Sequence, residues 1–166
     1  GPGTLEVADL LAERDIPVIV DGVHRLPRHR HDRPFEPFEL AGKLHTKGVR
    51  VAIATAEEPA HERNLPHQAA TAAAHGLPTE TALAAITRVP AEIVGIADRY
   101  GSLGPGRSAT LLVLDGPPLE ITSAPVAAYI DGRPIDLSSR QSRQREKYLE
   151  KYRRQGRLDN AAVPDP

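Results

Sequence analysis

The sequence predicts an α/β chain: a strand–helix–strand unit, then short helices, then a small antiparallel β region and a closing helix. Three observations carry this prediction. The runs Ile16-Pro17-Val18-Ile19-Val20 and Val49-Arg50-Val51-Ala52-Ile53-Ala54 are rich in β-branched residues and bracket a helical stretch, an order that gives parallel strands. Residues 66–96 switch to helical spacing with Pro near the helix starts. Residues 109–137 then return to short apolar runs around an Asp131-Gly132 dipeptide, a tight-hairpin signal.

In order, Val7, Leu10 and Leu11 fall at helical spacing, so residues 5–14 read as a helix. Residues 16–20 read as a buried strand, ended by Asp21-Gly22, with Pro17 near its start where a missing N–H is tolerated. Residues 25–37 are a loop crowded with proline and arginine. Residues 38–47 read as a helix with Gly48 as its C-terminal stop, and residues 49–54 as the second strand. Residues 68–75, 79–87 and 90–95 read as short helices. Residues 109–114, 127–130 and 133–137 read as strands, residues 142–155 as a charged helix, and residues 159–166 as a disordered tail.

Composition excludes several classes. The 166 residues contain no Cys, so disulfides and thiolate metal sites are impossible. No apolar run approaches the roughly 20 residues of a membrane helix, and a cytoplasmic location without membrane attachment is the expectation. Met is also absent, and Gly1-Pro2 resembles the scar of a tag-removing protease. Residues 1–3 are therefore set aside as a tag remnant, and the chain reads as a piece of a longer parent. The net charge of −1 argues against wholesale nucleic-acid binding, yet residues 140–157 hold eight Lys/Arg against two Glu.

Two stretches carry a family resemblance. One runs from Gly76-Leu77-Pro78-Thr79 through Thr87-Arg88-Val89-Pro90-Ala91 to Gly95-Ile96; the other is Gly101-Ser102-Leu103-Gly104-Pro105-Gly106-Arg107, followed by Leu111-Leu112-Val113-Leu114-Asp115-Gly116. Together they resemble the closing part of the amidohydrolase superfamily, metal-dependent hydrolases on a (β/α)8 barrel, and most closely the branch of imidazolonepropionase. The resemblance implies an α/β fold comprising the last two strands and helices of such a barrel, part of a small β-sandwich and a C-terminal helix. It implies that residues 16–20 are the seventh barrel strand and residues 49–54 the eighth. Residues 4–100 would then belong to the barrel, 101–137 to the sandwich, 138–157 to a basic helix and 158–166 to a tail.

In that family the eighth strand ends in a Thr/Ser-Asp pair whose Asp contacts the metal and acts as general base. Thr55 matches, but the Asp position holds Ala56, and a methyl group cannot accept a proton. Glu57 is a weak substitute, because one residue along an extended chain turns the side chain to the other face. The other family ligands would lie upstream of residue 1. The resemblance thus implies no metal ligand in this chain, zinc or another divalent ion in the parent, and no catalytic residue here. Asp21, Thr55 and His61 follow the inferred strand ends and are the candidates for substrate contact.

Other motifs read more plainly. His29-x-His31 has metal-site spacing, but it lies among arginines that repel a cation. His61 and His67 flank a loop that precedes a helix. Gly101 to Ser108 nearly spells a phosphate-binding loop, yet a strand rather than a helix follows, so a turn is the reading. Tyr148, Leu149 and Tyr152 line one face of the basic helix, while Glu146 and Glu150 fit intrahelical ion pairs and argue against a nucleic-acid arm.

The expected function is that of the C-terminal portion of an amidohydrolase-like protein whose parent hydrolyses C–N bonds of amides or cyclic amides. The chain alone is expected to be inactive. The alternative is a non-catalytic barrel scaffold or binding protein of the same descent. The expected partners are the missing N-terminal part of the barrel or a second copy, with a small-molecule substrate in the parent. Two bare parallel strands would otherwise expose unpaired edges.

Overall fold

Two parallel strands organise the first half of the chain. A computed structural model describes residues 2–27, 30–55 and 59–158, with the side chains of Pro2, Pro59, Ala60 and His61 left outside the description. His29, Ala56, Glu57 and the tail 159–166 lie outside the described residues. Strand β1 is Val18–Asp21 and strand β2 is Val51–Ala54, paired from Val18↔Val51 to Asp21↔Ala54. Each strand starts two residues later than its apolar run. Backbone pairing begins only where Val18 N–H reaches the Arg50 carbonyl, at 2.9 Å, so Ile16 and Pro17 stay outside the ladder.

Helices α1 (Ala8–Glu13) and α2 (Glu36–Thr46) flank the strands in sequence. Beyond β2, a 3-10 turn at Pro59–Asn64 leads into α3 (Leu65–Ala74), α4 (Thr79–Ala84) and α5 (Arg88–Ile93). Helix α3 starts three residues earlier than residue spacing indicates, because Pro66 in its first turn is compatible with helix and needs no N–H partner there. Val20, Val51 and Ile53 turn one face of the sheet into a core with Val23, Leu44, Val49, Ala69, Ala72 and Leu77. Leu44 and Val49 are almost fully buried, and truncating a Leu so placed costs about 2–5 kcal/mol.

The stop of α2 shows how local chemistry places this core. Gly48, at φ +81°, donates to the His45 carbonyl at 2.8 Å, and Val49 donates to Leu44 at 3.1 Å. These two bonds make a Schellman motif, and the buried Val49 and Leu44 supply its hydrophobic contact. The ends of α1, α3 and α5 repeat the same pair of bonds, with Asp15 taking the glycine role after α1. Gly42 inside α2 has a different purpose. A Cβ there would lie 2.8 Å from the Gly76 carbonyl carbon, so only glycine lets α2 approach the turn after α3.

The chain divides into two compact units, Gly1–Ser108 with Gly116–Ser123, and Ala109–Asp115 with Ala124–Pro166. The second holds an antiparallel sheet of β3 (Leu111–Leu114), β4 (Pro125–Ile130) and β5 (Arg133–Pro134), in the order β3-β4-β5. Asp131 and Gly132, at φ +47° and +78°, form the expected two-residue hairpin turn between β4 and β5. Strand β5 is shorter than the residues 133–137 expected of it; Pro134 has no N–H to give, although Ile135 still donates to Ala128 at 2.9 Å.

Helix α6 (Arg140–Arg154) opens on a capping box. Ser142 N–H donates to Ser139 Oγ at 3.0 Å, and Ser139 N–H donates to Ser142 Oγ at 2.8 Å. No α6 residue is buried, and Tyr148 and Tyr152 are 48% and 37% exposed.

Candidate active site

The C-terminal ends of β1 and β2 carry two of the candidate residues, Asp21 and Thr55. The register sets Asp21 opposite Ala54, and Gly22 N–H donates to the Ala54 carbonyl at 3.1 Å. Asp21, exposed, and Thr55, half-buried, therefore lie at the same end of neighbouring strands, whose axes are about 4.8 Å apart. His61 falls in the 3-10 turn that leads to α3. Asp21 also borders a depression of about 240 Å³ along β1, with Thr4, Arg25 and Leu40 on its walls.

The two edges of the sheet differ. On the outer side of β2, Ile53 N–H donates to the Ala85 carbonyl at 2.9 Å, so the turn after α4 occupies that edge. Among the described residues no strand pairs with the outer edge of β1, and Ile19 on that strand is 55% exposed.

Helix α3 braces the segment that follows β1. Gln68 is a buried polar side chain in a helix otherwise rich in alanine, and its Oε1 accepts the Val23 N–H at 2.8 Å. One turn further on, Thr71 Oγ1 lies 2.8 Å from His24 Nε2. The His24 ring meets Phe38 edge-on, with centroids 6.1 Å apart. His75 meets Phe38 at 5.2 Å and stacks on Phe35 at 5.5 Å. Polar clamps and ring contacts thus fix the residues just past Asp21.

Gln68, Thr71 and His24 were not legible as site residues from motif spacing. The signal that points to them is Gln68-x-x-Thr71, a polar pair one helical turn apart in an otherwise apolar helix.

Charge gathers at the opposite end of the sheet. Arg50, just before β2, forks onto Asp15 at 2.9 and 3.0 Å, with Glu92 at 3.7 Å. On α2, Glu39 is held below the ordinary carboxylate range, chiefly by the hydrogen bond from Lys43 and further by the charges of Lys43, Arg33 and His75, against the opposing effect of desolvation. In the second unit Asp136 is also held low, first by the backbone N–H of Ser138 and then by its hydroxyl. Among the described residues, no group of three or more His, Cys, Asp or Glu could hold a metal ion, and no helix is long and apolar enough to cross a membrane.

Comparison with known proteins places this architecture. A model of the amidohydrolase family matches residues 36–139. The amidohydrolase tasK of Hapsidospora irregularis is 32% identical over 109 residues, which is 62% of this chain and 11% of that protein. An amidohydrolase crystal structure from Thermotoga maritima MSB8 superposes with a TM-score of 0.66 at 33% identity, over 80% of this chain and 34% of the other. A second amidohydrolase structure, at 23% identity and a TM-score of 0.60, shares the fold over 80% of this chain and 38% of its own. The chain therefore spans about a tenth of the curated relative and about a third of the solved structures. A mixed α/β fold shared with solved amidohydrolases and a family match over more than half its length agree: the chain belongs to the amidohydrolase family.

Proposed function

We propose that this chain supplies the last two strands of a (β/α)8 barrel, and the C-terminal strands of a small β-sandwich, to a parent protein that hydrolyses the C–N bond of an amide or cyclic amide. The observation that carries this reading is the parallel β1–β2 pair, with Asp21 and Thr55 at its C-terminal ends and, among the described residues, no strand on the outer edge of β1. Barrel enzymes build their sites from loops at that end of the strands. The depression along β1 is the natural place for a preceding strand. Residues 4–100 are the barrel portion, 101–137 the sandwich portion and 138–157 the basic helix.

A divalent metal does not fit the described residues of this chain, since they bring no three suitable donors together. In the parent, zinc or a similar ion would rest on residues outside this chain. Within it, Asp21, Thr55 and His61 are the candidates for contact with a small-molecule substrate, and by the family resemblance Ala56 falls where an Asp is expected. On this reading the chain alone does not turn over substrate and works with the upstream part of the barrel. A second reading, a barrel that binds without catalysis, is favoured by Ala56 itself. Ala56→Asp in the parent separates the two. Metal-dependent amide hydrolysis gained by A56D supports descent from an enzyme, and no gain supports the scaffold.

A further inference from the structure

We propose that Arg25 is a docking contact for the upstream part of the parent. An extended segment of that part lies along the outer edge of β1 and sets a carboxylate against the Arg25 guanidinium. The proposal rests on the closing-strand reading above and adds the chemistry of the partner.

Backbone geometry shows what the edge offers. Val18 N–H donates to the Arg50 carbonyl at 2.9 Å and Gly22 N–H to the Ala54 carbonyl at 3.1 Å, both toward β2. Backbone groups alternate sides along a strand, so the Ile19 and Asp21 amides face the outer edge. Among the described residues nothing accepts from them. Two free amides at a two-residue interval match the carbonyl spacing of a partner strand. The occupant is therefore polypeptide. This chain covers 34% and 38% of two solved relatives, which leaves ample chain outside it to supply that strand.

Charge says what that strand carries at its end. Arg25 N–H donates to the Gly22 carbonyl at 3.1 Å and closes the turn out of β1. Val23 inside the turn is fully buried, with its own N–H on Gln68, so the turn is fixed. Position 25 is thereby held at the depression that Arg25 and Asp21 both line. The Arg25 side chain is half-buried, and among the described residues no hydrogen-bond or ion-pair partner meets it, Asp21 included. A guanidinium partly withdrawn from water favours a carboxylate, which its planar fork grips through two hydrogen bonds. The loop that follows adds to the positive field, since residues 25–33 hold four Arg against one Asp. Such a field draws an acidic partner.

Two measurements on the full-length parent test this. Hydrogen exchange reads the edge. The Ile19 and Asp21 amides should exchange about 10²-fold or more slowly in the parent than in this chain alone. Equal rates in the two overturn the edge pairing and the closing-strand reading with it. In the Arg25→Gln parent their protection should fall about 10-fold, less than a fully desolvated charge pair would lose. The Val23 amide should keep its native rate there, which shows the turn intact. Protection present in the parent but unmoved by R25Q leaves the closing-strand reading standing and overturns the Arg25 contact. Carbodiimide coupling of the Arg25→Lys parent then identifies the carboxylate. The result expected is a cross-link from position 25 to an Asp or Glu upstream of this chain. A link only to residues of this chain, or no link, overturns the proposal.

Discussion

Gln68 shows how one side chain can fix a functional end. Its carbonyl oxygen accepts the Val23 N–H within the buried core. Gln68→Leu fills the space but leaves that amide unpaired, at a cost of about 1–3 kcal/mol. The expected outcome is a lower denaturant midpoint with selective loss of exchange protection at Val23. Protection at Val23 equal to the native chain would contradict the clamp. Sequence alone marks α3 as a helix through Pro66 and its alanines, but it does not reveal that Gln68 points into the core toward a residue 45 positions earlier. Long-range partners of polar side chains are set by packing, and periodicity carries no information about them. The place of Thr55, directly after β2, follows from the β-branched run before it.

At the scale of elements, starts and stops account for most of what the sequence revealed. Gly48 marks the end of α2, and Asp131-Gly132 marks the hairpin, because few residues accept positive φ. Gly42 is harder to read: in sequence it is only a poor helix former, and its purpose appears where α2 meets Gly76. Gly42→Ala should destabilise the first unit by about 1–3 kcal/mol through overpacking against backbone, despite its better helix propensity, and thermal melting checks the sign. A stabilised variant would show that α2 can withdraw. The start of α6 gives a pH prediction. The two hydrogen bonds from Ser138 hold Asp136 below its ordinary value of 3.8. The folded state therefore binds that proton less readily than the unfolded chain. The stabilisation is complete above the ordinary value and is lost as pH falls from there through the depressed folded value. Far-UV circular dichroism across that acid range should show α6 fraying, with a shallower dependence in Asp136→Asn, which cannot titrate. Ser139→Ala should cost about 1 kcal/mol of helix stability at neutral pH.

For the whole molecule, the sheet edges are decisive. The sequence predicted two parallel strands, and the structure has them. It did not indicate that the turn after α4 would occupy the outer edge of β2, while among the described residues nothing pairs with the outer edge of β1. The long-range bond from Ile53 to Ala85 marks the β2 edge as occupied. An edge strand without a partner is a template for association. The chain by itself should therefore self-associate with rising concentration, and Ile19→Lys should suppress this in sedimentation velocity without lowering the melting temperature. The most direct test is native mass spectrometry of this chain mixed with the separately produced upstream part of its parent. The expected result is a one-to-one complex that displaces self-association and is weakened by I19K. A chain that stays monomeric, unfolds cooperatively and ignores the upstream part would contradict the reading of β1 and β2 as the closing strands of a larger barrel.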